Sequence, residues 1–516
     1  MAMTMAAVLP GTSAMADQGG AQWNSAGGDL GNTRSQPSES KLTVENVSSL
    51  TTKWAFTTAG DVSATPAVVG NTVYVPDWAG YLYAVNAKTG ALKWRVKLSD
   101  VSGIAYDKAR VTPVVAGNLV IVGTQGSIFV PGGGPGGKVL ALNKDTGALV
   151  WSTQADSNYA AVITQSATVF DGRVYVGVAS QEEALAAFVP GYTLSFRGSM
   201  LALDLATGAI LWKTYTAPTG YTGNAVWGSS PSIDTKRGSV YIATGNNYSV
   251  PQATLDCVAA AGTDAVAITA CLPADDHFDS IMSLDLVTGA VKWATRAIPY
   301  DAWTVGCIPG FIDDLCPEPA GPDYDFGQAP ALYSVKSAGG GKAVEYVGAG
   351  QKSGQYWALD PSTGEVRWVT AAGPGGTAGG LQWGSAVDGQ RVYTANANSN
   401  SVPWTLPTGG TTTSGVWSGL DAATGQLRWQ TTPPNGGGAS GPATTANGIM
   451  FGCSLDSAGH MYALNGATGA VLWDFASGGS CLSGAAISNG MVYWGSGYSN
   501  FGFGTPNNKL YAFGLA

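Results

Sequence analysis

Acidic and amide side chains follow strand-like phrases in a chain that otherwise carries few charges. Charged residues make up only 11% of the 516 residues. Glu182 and Glu183 come a few residues after the phrase RVYVGV, and Asn246 ends the phrase SVYIATGN. Carboxylate and amide oxygens are the ligands that hard cations such as calcium prefer. The sequence therefore predicts a cation site where the ends of these strands meet.

A second group of residues has types suited to binding a flat, oxygen-rich ligand. Asp301, Asp323 and Asp325 lie in one Pro- and Gly-rich stretch and add further carboxylates. Lys352 follows the strand-like phrase EYVGAG and can hold an oxyanion. Trp227 offers a face on which a planar ring can stack. These residues predict that an anion and a flat ring bind beside the cation.

An internal repeat indicates how the chain positions these residues. A nine-residue phrase begins with Asn or Asp, has Thr-Gly at its centre and ends in Trp. The Asx side chain can cap a tight turn in which Gly takes a positive φ, and the Trp ring can pack against a neighbouring sheet. The phrase occurs seven times, at 86–94, 143–151, 204–212, 285–293, 360–368, 421–429 and 465–473.

The spacing of the repeat predicts an all-β, eight-bladed β-propeller. The repeat tryptophans are 44 to 81 residues apart, which suits one four-stranded blade with variable loops. An eighth, partial copy ends near Trp54, and the last strand, NNKLYAFGLA, lacks a following turn phrase. We therefore expect the N- and C-terminal strands to share one blade and close the ring, with residues 17–516 forming a single propeller. Function should lie on the axis, where single copies depart from the repeat.

Composition limits the partners of such a propeller. The net charge is −9 and the pI is about 4.7. No excess of Lys and Arg exists to neutralise phosphates, which disfavours nucleic acid and anionic membrane surfaces as partners. No apolar run reaches the length of about 18 residues that a membrane span requires, so no membrane span is predicted.

The N-terminus and the cysteines indicate an oxidising compartment. Residues 1–16 are uncharged and end in Ala-Met-Ala, which predicts a signal-peptide remnant, with a cloning remnant or disordered leader as the alternative. The cysteines fall into three neighbouring pairs, which predicts disulfide staples and a periplasmic or secreted protein. No Cys-x-x-Cys-His phrase occurs. The pairs are Cys257 with Cys271, Cys307 with Cys316, and Cys453 with Cys481.

The repeat and the site phrases resemble the pyrroloquinoline quinone (PQQ) dehydrogenases, in particular the branch similar to polyvinyl alcohol dehydrogenase. The resemblance runs from Gln22-Trp23 to the last strand. It implies bound PQQ with Ca²⁺, or a lanthanide in its place. It also implies oxidation of alcohols, secondary or polymeric ones above all, with electrons passing to an external acceptor such as a cytochrome c.

The resemblance also assigns roles to individual residues. For the metal it implies Glu182, with Glu183 as the alternative, together with Asn246 and Asp323. For the cofactor it implies Trp227 as the floor beneath PQQ and Lys352 against the quinone oxygens. It further implies Arg110 on a cofactor carboxylate, and Thr164 and Ser166 as hydroxyl contacts.

The catalytic base is less closely defined by the resemblance. Counting back from Pro330 points to Asp323 or Asp325, with Asp301 in reserve, as the carboxylate that takes the substrate proton while hydride passes to the quinone. Two aspartates spaced by one residue are also why a lanthanide stays an alternative to calcium. The adjacent cysteines that cover the upper face of PQQ in many family members do not occur here.

Two other functions fit parts of the sequence. The turn phrase also occurs in non-enzymatic propellers, so a binding or scaffold protein is the main alternative, and a propeller with lyase or hydrolase chemistry is another. Single residues have structural alternatives too: Asn246 can cap a loop backbone, and Arg110 can pair with Asp107.

Overall fold

Eight antiparallel sheets follow one another in order, seven with four strands and one with an additional short segment. The computed structural model describes residues 22–336 and 341–516. The short alternating phrases of the repeat form the strands, and the Asx-x-x-Thr-Gly phrase forms the hairpin between the third and fourth strand of a blade. The leader predicted at 1–16 lies outside the described residues.

The blades are numbered from the first complete one. Blade 1 contains Ala67–Val69, Thr72–Pro76, Tyr81–Asn86 and Leu92–Lys97; blade 2, Val114–Ala116, Leu119–Gly123, Lys138–Asn143 and Leu149–Gln154; blade 3, Ala161–Val162, Thr168–Phe170, Arg173–Ser180, Ser199–Asp204 and Ile210–Tyr215; blade 4, Ser232–Asp234, Ser239–Ala243, Ser280–Asp285 and Val291–Arg296. Blade 5 contains Ala331–Val335, Val344–Gly350, Gln355–Leu359 and Val366–Ala371; blade 6, Ala386–Val387, Arg391–Asn396, Val416–Asp421 and Leu427–Thr431; blade 7, Thr444–Ala446, Ile449–Cys453, His460–Asn465 and Val471–Ala476; blade 8, Ala486–Ser488, Met491–Ser496, Lys509–Leu515 and Leu50–Thr57.

The last strand of the chain closes the ring. Lys509–Leu515 pairs with Met491–Ser496 on one side and with Leu50–Thr57 on the other. The first strand of the chain is therefore the outer strand of blade 8. This confirms the prediction that the terminal strands share a blade, and closure leaves no sheet edge at the join.

The repeat tryptophans dock each blade onto the next. The Trp151 ring lies against Gly208 of the following turn phrase, where an added Cβ would come within 2.5 Å of the ring. Its Nε1 donates a 3.0 Å hydrogen bond to the carbonyl of Leu205 in the same turn. Gly208 has φ of +73°, so both the turn and the ring contact require glycine. The Thr-Gly and Trp positions of the repeat are thus structural.

The segment 22–36 lies across the central channel. Its backbone exchanges hydrogen bonds with the first strands of blades 1, 2, 4, 5, 6 and 7. Only a segment on the axis can reach the first strand of so many blades, so these strands are the innermost ones. Periodicity in the sequence gives no indication of this plug.

Four α-helices, three 3₁₀ helices and two two-stranded sheets lie outside the blades of the described chain. The α-helices are α1 (Leu98–Ser102), α2 (Glu182–Phe188), α3 (Gln252–Ala261) and α4 (Ala265–Ala270); the 3₁₀ helices are Val47–Ser49, Val305–Cys307 and Asn500–Gly502; the two-stranded sheets pair Thr222–Gly223 with Asn247–Ser249, and Trp404–Thr405 with Thr411–Thr412. None of the helices within the described ranges is long and apolar enough to cross a bilayer.

Each predicted cysteine pair is bonded. Cys257–Cys271 joins α3 to the end of α4, Cys307–Cys316 closes an insertion between blades 4 and 5, and Cys453–Cys481 joins blade 7 to the entry of blade 8. Two of the three therefore hold inserted loops in place.

Candidate active site on the propeller axis

Three adjoining cavities lie on the axis. The first, the carboxylate cavity, is lined by Glu183, Asp325, Lys352, Trp227 and Thr164 among others. The second, the arginine cavity, is lined by Arg34, Arg110, Ser166 and hydroxyl side chains that enter from around the ring. The third, the wide cavity, opens among loops of blades 5 to 8. Arg110 lines all three, so the cavities are contiguous.

Glu182, which the resemblance indicates first for the metal, lines none of these cavities. Five donors saturate its carboxylate, which is fully buried. Asn158 Nδ2, Tyr192 OH and Ser195 Oγ donate to Oε1 at 2.8, 3.1 and 2.9 Å. The backbone N–H groups of Ser195 and Phe196 donate to Oε2 at 2.9 and 2.8 Å. Glu182 thus holds the loop after α2 in place.

Glu183, the alternative, faces the carboxylate cavity. Successive residues of a helix differ by about 100° in direction, so the neighbour of Glu182 points elsewhere. Glu183 lines the cavity, and its Oε1 is buried without a hydrogen-bond partner. Burial raises the pKa of Glu183 to about 8, against the opposing effect of Lys352. A buried carboxylate oxygen without a donor is suited to a cation.

Asn246 contacts Asp325, which lines this cavity, whereas Asn246 itself is buried and lines none of the three cavities. The backbone N–H of Asn246 donates to Asp325 Oδ1 at 2.6 Å. Asn246 Nδ2 donates to the carbonyls of Asn247 and Trp303 at 2.9 and 2.8 Å. With both amide hydrogens engaged, Oδ1 is the atom of this side chain that remains for a cation.

Lys352 forms an ion pair with both predicted aspartates. Its Nζ lies 2.7 Å from Asp323 Oδ1 and 3.4 Å from Asp325 Oδ2. Burial alone would lower the pKa of Lys352, but Asp323, Asp325 and Glu183 together raise it. The ammonium therefore stays charged. Asp323 is 1% exposed and lines none of the three cavities, whereas Asp325 lines the carboxylate cavity.

Asp301 lies behind Asp323 rather than at the cavity. It is fully buried and accepts hydrogen bonds from the backbone N–H groups of Asp323, at 3.1 Å, and Tyr324, at 2.7 Å. Burial raises its pKa to about 6. The structure adds Asp279 beside it, also fully buried, whose pKa burial and Asp301 raise far above the ordinary value. Two carboxyl groups in contact favour a protonated partner.

The Trp227 side chain is held by the Asp325 carboxylate. Its Nε1 donates to Asp325 Oδ2 at 2.9 Å, and Lys352 Nζ lies 5.6 Å from the ring centroid. Trp383 packs edge-on against Trp227 with a centroid distance of 5.5 Å. Arg110 lies over the Trp383 ring at 5.1 Å. Trp383 was missed by the sequence analysis, although the phrase QWGS at 382–385 repeats the VWGS at 226–229.

Arg110 is available for an anion. Its Nε is buried without a hydrogen-bond partner, and no carboxylate of the described chain lies within ion-pair distance, Asp107 included. Thr164 and Ser166 line the arginine cavity beside it. Arg34, from the axial plug, reaches the same cavity but donates its hydrogen bonds to Ala443, Ala26 and Thr65.

Carboxyl groups outnumber ammonium groups in this region. One buried ammonium, Lys352, lies among five carboxyl groups, four of them buried and that of Glu183 half-buried. Within ranges 22–336 and 341–516, no three His, Cys, Asp or Glu side chains already converge as metal ligands. The donor set and the unpaired Glu183 oxygen nevertheless fit a hard cation. The five carboxyl groups are Glu183, Asp279, Asp301, Asp323 and Asp325.

We expect the cation-free protein to lose stability as pH rises from about 5 to 9. A carboxyl group whose folded pKa is raised stabilises the fold below its unfolded pKa, and this contribution is lost as pH passes the folded value. For Glu183 that value is about 8. Melting temperatures measured with a chelator should fall by several degrees over this range. Added calcium should raise the melting temperature more at pH 8 than at pH 5. A flat profile that calcium shifts equally at both pH values contradicts the expectation.

Comparison with known sequences identifies the family of the chain. A family model described as outer membrane protein assembly factor BamB matches residues 13–295 and 352–513, which span the repeats. A polyvinylalcohol dehydrogenase from a Pseudomonas species is 31% identical over 93% of this chain and 73% of its own length. One from a Sphingopyxis species is 31% identical over 96% of this chain and 76% of its own length. The chain belongs to this propeller family, in its polyvinylalcohol-dehydrogenase-like quinoprotein branch.

Solved structures of quinoprotein dehydrogenases share the fold of this family member. The quinohemoprotein alcohol dehydrogenase ADHIIG from Pseudomonas putida HK5 superposes with a TM-score of 0.72 and 18% identity, covering 96% of this chain and 80% of its own. A europium-containing methanol dehydrogenase superposes with a TM-score of 0.68 and 17% identity, covering 96% of this chain and 98% of its own. These likenesses confirm the predicted propeller.

Proposed function

We propose that this quinoprotein oxidises alcohols, secondary and polymeric ones above all, with PQQ bound on the propeller axis and electrons passed to an external acceptor such as a cytochrome c. The observation that supports it most is the carboxylate cavity. There an unpaired Glu183 oxygen, the Lys352 ammonium and the Trp227 ring line one axial space. A scaffold propeller has no need of a buried carboxyl oxygen without a hydrogen-bond partner on its axis.

The chain offers a distinct group for each part of the cofactor. Glu183 and Asn246 Oδ1 would hold a hard cation, calcium or a lanthanide. Trp227 would lie under the ring system, and Arg110, with Thr164 and Ser166 beside it, would bind cofactor carboxylates. PQQ, when bound, supplies the carbonyl that accepts two electrons from the alcohol.

In this proposal Asp325 takes the proton of the substrate hydroxyl. It is the aspartate that lines the carboxylate cavity, and Trp227 Nε1 and the Asn246 N–H fix its two oxygens. Lys352 would stabilise the negative charge that develops on a quinone oxygen. Asp323 orients Lys352 through the 2.7 Å ion pair, and Asp301 orients the backbone of Asp323. Both of these are positioning residues.

The compartment and the acceptor follow from the same proposal. Three disulfides favour a periplasmic or secreted location. The 516 residues carry no Cys-x-x-Cys-His haem phrase. In this proposal electrons pass to a separate acceptor.

Reconstitution tests the proposal directly. We expect apoprotein supplied with PQQ and CaCl₂ to reduce an electron-accepting dye when given a secondary alcohol or polyvinyl alcohol. Both ligands together should raise the melting temperature more than either alone, because binding to the folded state alone stabilises it. The same assay with lanthanum chloride identifies the preferred cation. An absence of dye reduction and of any thermal shift would defeat the enzyme proposal and leave the scaffold alternative.

A further inference from the structure

We propose that Phe501 forms the aromatic wall opposite Trp227, so that a quinone bound on the axis lies between the two rings. This inference rests on the proposed function. Phe501 belongs to the 3₁₀ helix Asn500–Gly502, within the connection 497–508 between two strands of blade 8.

The order of the blades places the two rings on opposite sides. Trp227 lies on the connection that enters blade 4, and Phe501 lies on a connection of blade 8. In a closed ring of eight blades these two face each other across the axis. Both side chains nevertheless line the carboxylate cavity and the wide cavity. They therefore bound the same space from opposite sides.

The conformation of Phe501 indicates a function rather than packing. Its side chain is 67% exposed, which is unusual for a large apolar ring. Its backbone has φ of +57°, a left-handed conformation that costs a non-glycine residue about 1 kcal/mol or more. Its ring contacts Trp78 only edge-on, with centroids 6.1 Å apart. An exposed ring held in a strained backbone gains little stability for the free protein.

The connection that carries Phe501 has a fixed base. The buried Asp61 carboxylate accepts hydrogen bonds from the Ser499 N–H and Oγ, at 2.8 and 2.7 Å, and from the Asn507 N–H at 3.0 Å. Asp61 thus joins the two ends of the connection. Beside Phe501, Tyr498 lines the arginine cavity and the wide cavity together with Arg110. A pinned base with an exposed aromatic tip is suited to cover a flat ligand in a constant position.

The chemistry of the ligand matches such a wall. A planar conjugated ring is held best between two flat apolar faces, which also exclude water from it. Trp227 supplies one face. No adjacent cysteine pair occurs in this sequence to supply the other. Phe501 is the aromatic side chain that lines both shared cavities from the opposite blade.

Equilibrium dialysis of free PQQ against calcium-loaded apoprotein tests the inference without relying on turnover. We expect Phe501→Ala and Phe501→Gly to raise the Kd for PQQ about tenfold, the loss of one stacked aromatic face. Phe501→Trp should keep the Kd within about threefold of wild type. Phe501→Gly also relieves the left-handed backbone, so it should fold at least as well as wild type while binding PQQ less tightly.

Phe311→Ala is the matched control. Phe311 is also an exposed phenylalanine, at 40%, and lines none of the three cavities. Its variant should bind PQQ as wild type does. If both Phe501→Ala and Phe501→Gly bind PQQ with the wild-type Kd, the proposed role of Phe501 is overturned and the proposed function stands. Wild-type apoprotein that does not bind PQQ would instead overturn the proposed function itself.

Discussion

Replacing Asp325 by Asn is expected to lower kcat by about a thousandfold while PQQ still binds. A positioned general base contributes typically 10²- to 10⁴-fold, and the amide keeps the shape of the carboxylate but cannot take a proton. Asp325 lines the cavity, and its oxygens are held by Trp227 Nε1 and the Asn246 N–H. Steady-state kinetics of the PQQ- and calcium-loaded variant measure the effect.

The other two aspartates provide the comparison. Asp323→Asn should affect catalysis indirectly, because it weakens the ion pair that orients Lys352. The acidic limb of the pH profile of kcat/KM should remain in this variant. Asp301→Asn should act more weakly still, because Asp301 reaches Lys352 only indirectly, through the backbone N–H groups of Asp323 and Tyr324. Only Asp325→Asn should remove the acidic limb. If Asp323→Asn removes it and Asp325→Asn does not, Asp323 is the base.

The fold could be predicted from the sequence because its signal is local and repeated. Each copy of the turn phrase encodes one hairpin, and each terminal Trp encodes one contact with the next blade, such as Trp151 on Gly208. Seven copies of the same turn phrase favour a repeat architecture such as a propeller over other folds. The blade that closes the ring could be predicted from the partial copy of the repeat near Trp54 and the last strand of the chain, which pair in the structure.

The site could be predicted only in part, because its contacts join distant parts of the chain. Lys352, Trp227 and Asp325 follow strand ends or repeat departures, and the structure brings them together. Asp279 precedes a strand without any distinguishing phrase, and it becomes part of the site only by lying against Asp301. Phe501 is an isolated phenylalanine in a glycine-rich turn, and its position across from Trp227 exists only in the closed ring.

The choice between Glu182 and Glu183 could not be made from the sequence for a geometric reason. The two residues are neighbours of the same type at the start of a helix, where one step of about 100° decides which one faces the axis. The start of that helix cannot be located to a single residue from the sequence alone. The five groups that donate hydrogen bonds to the Glu182 carboxylate come from Asn158 and from the loop at 192–196, which lie outside the helix.

This adjacency allows a matched experiment in which one substitution is made at two neighbouring positions. Glu183→Gln should raise the calcium concentration needed for half-maximal reconstitution at least about a hundredfold, because it removes the charge of a proposed cation ligand. Its melting temperature without calcium should not fall, because the unpaired Oε1 makes no hydrogen bond that could be lost. Calcium titrations followed by dye reduction and by thermal shift measure both quantities.

Glu182→Gln should behave in the opposite way. Its calcium requirement should stay within about threefold of wild type, since it lines none of the three cavities. Its stability should fall by about 2–4 kcal/mol, because the amide nitrogen turns a donor toward groups that themselves donate. The N–H groups of Ser195 and Phe196 would be left without an acceptor if that nitrogen replaced Oε2. A large loss of calcium affinity in Glu182→Gln, with none in Glu183→Gln, would return the cation to the residue that the family resemblance first indicated.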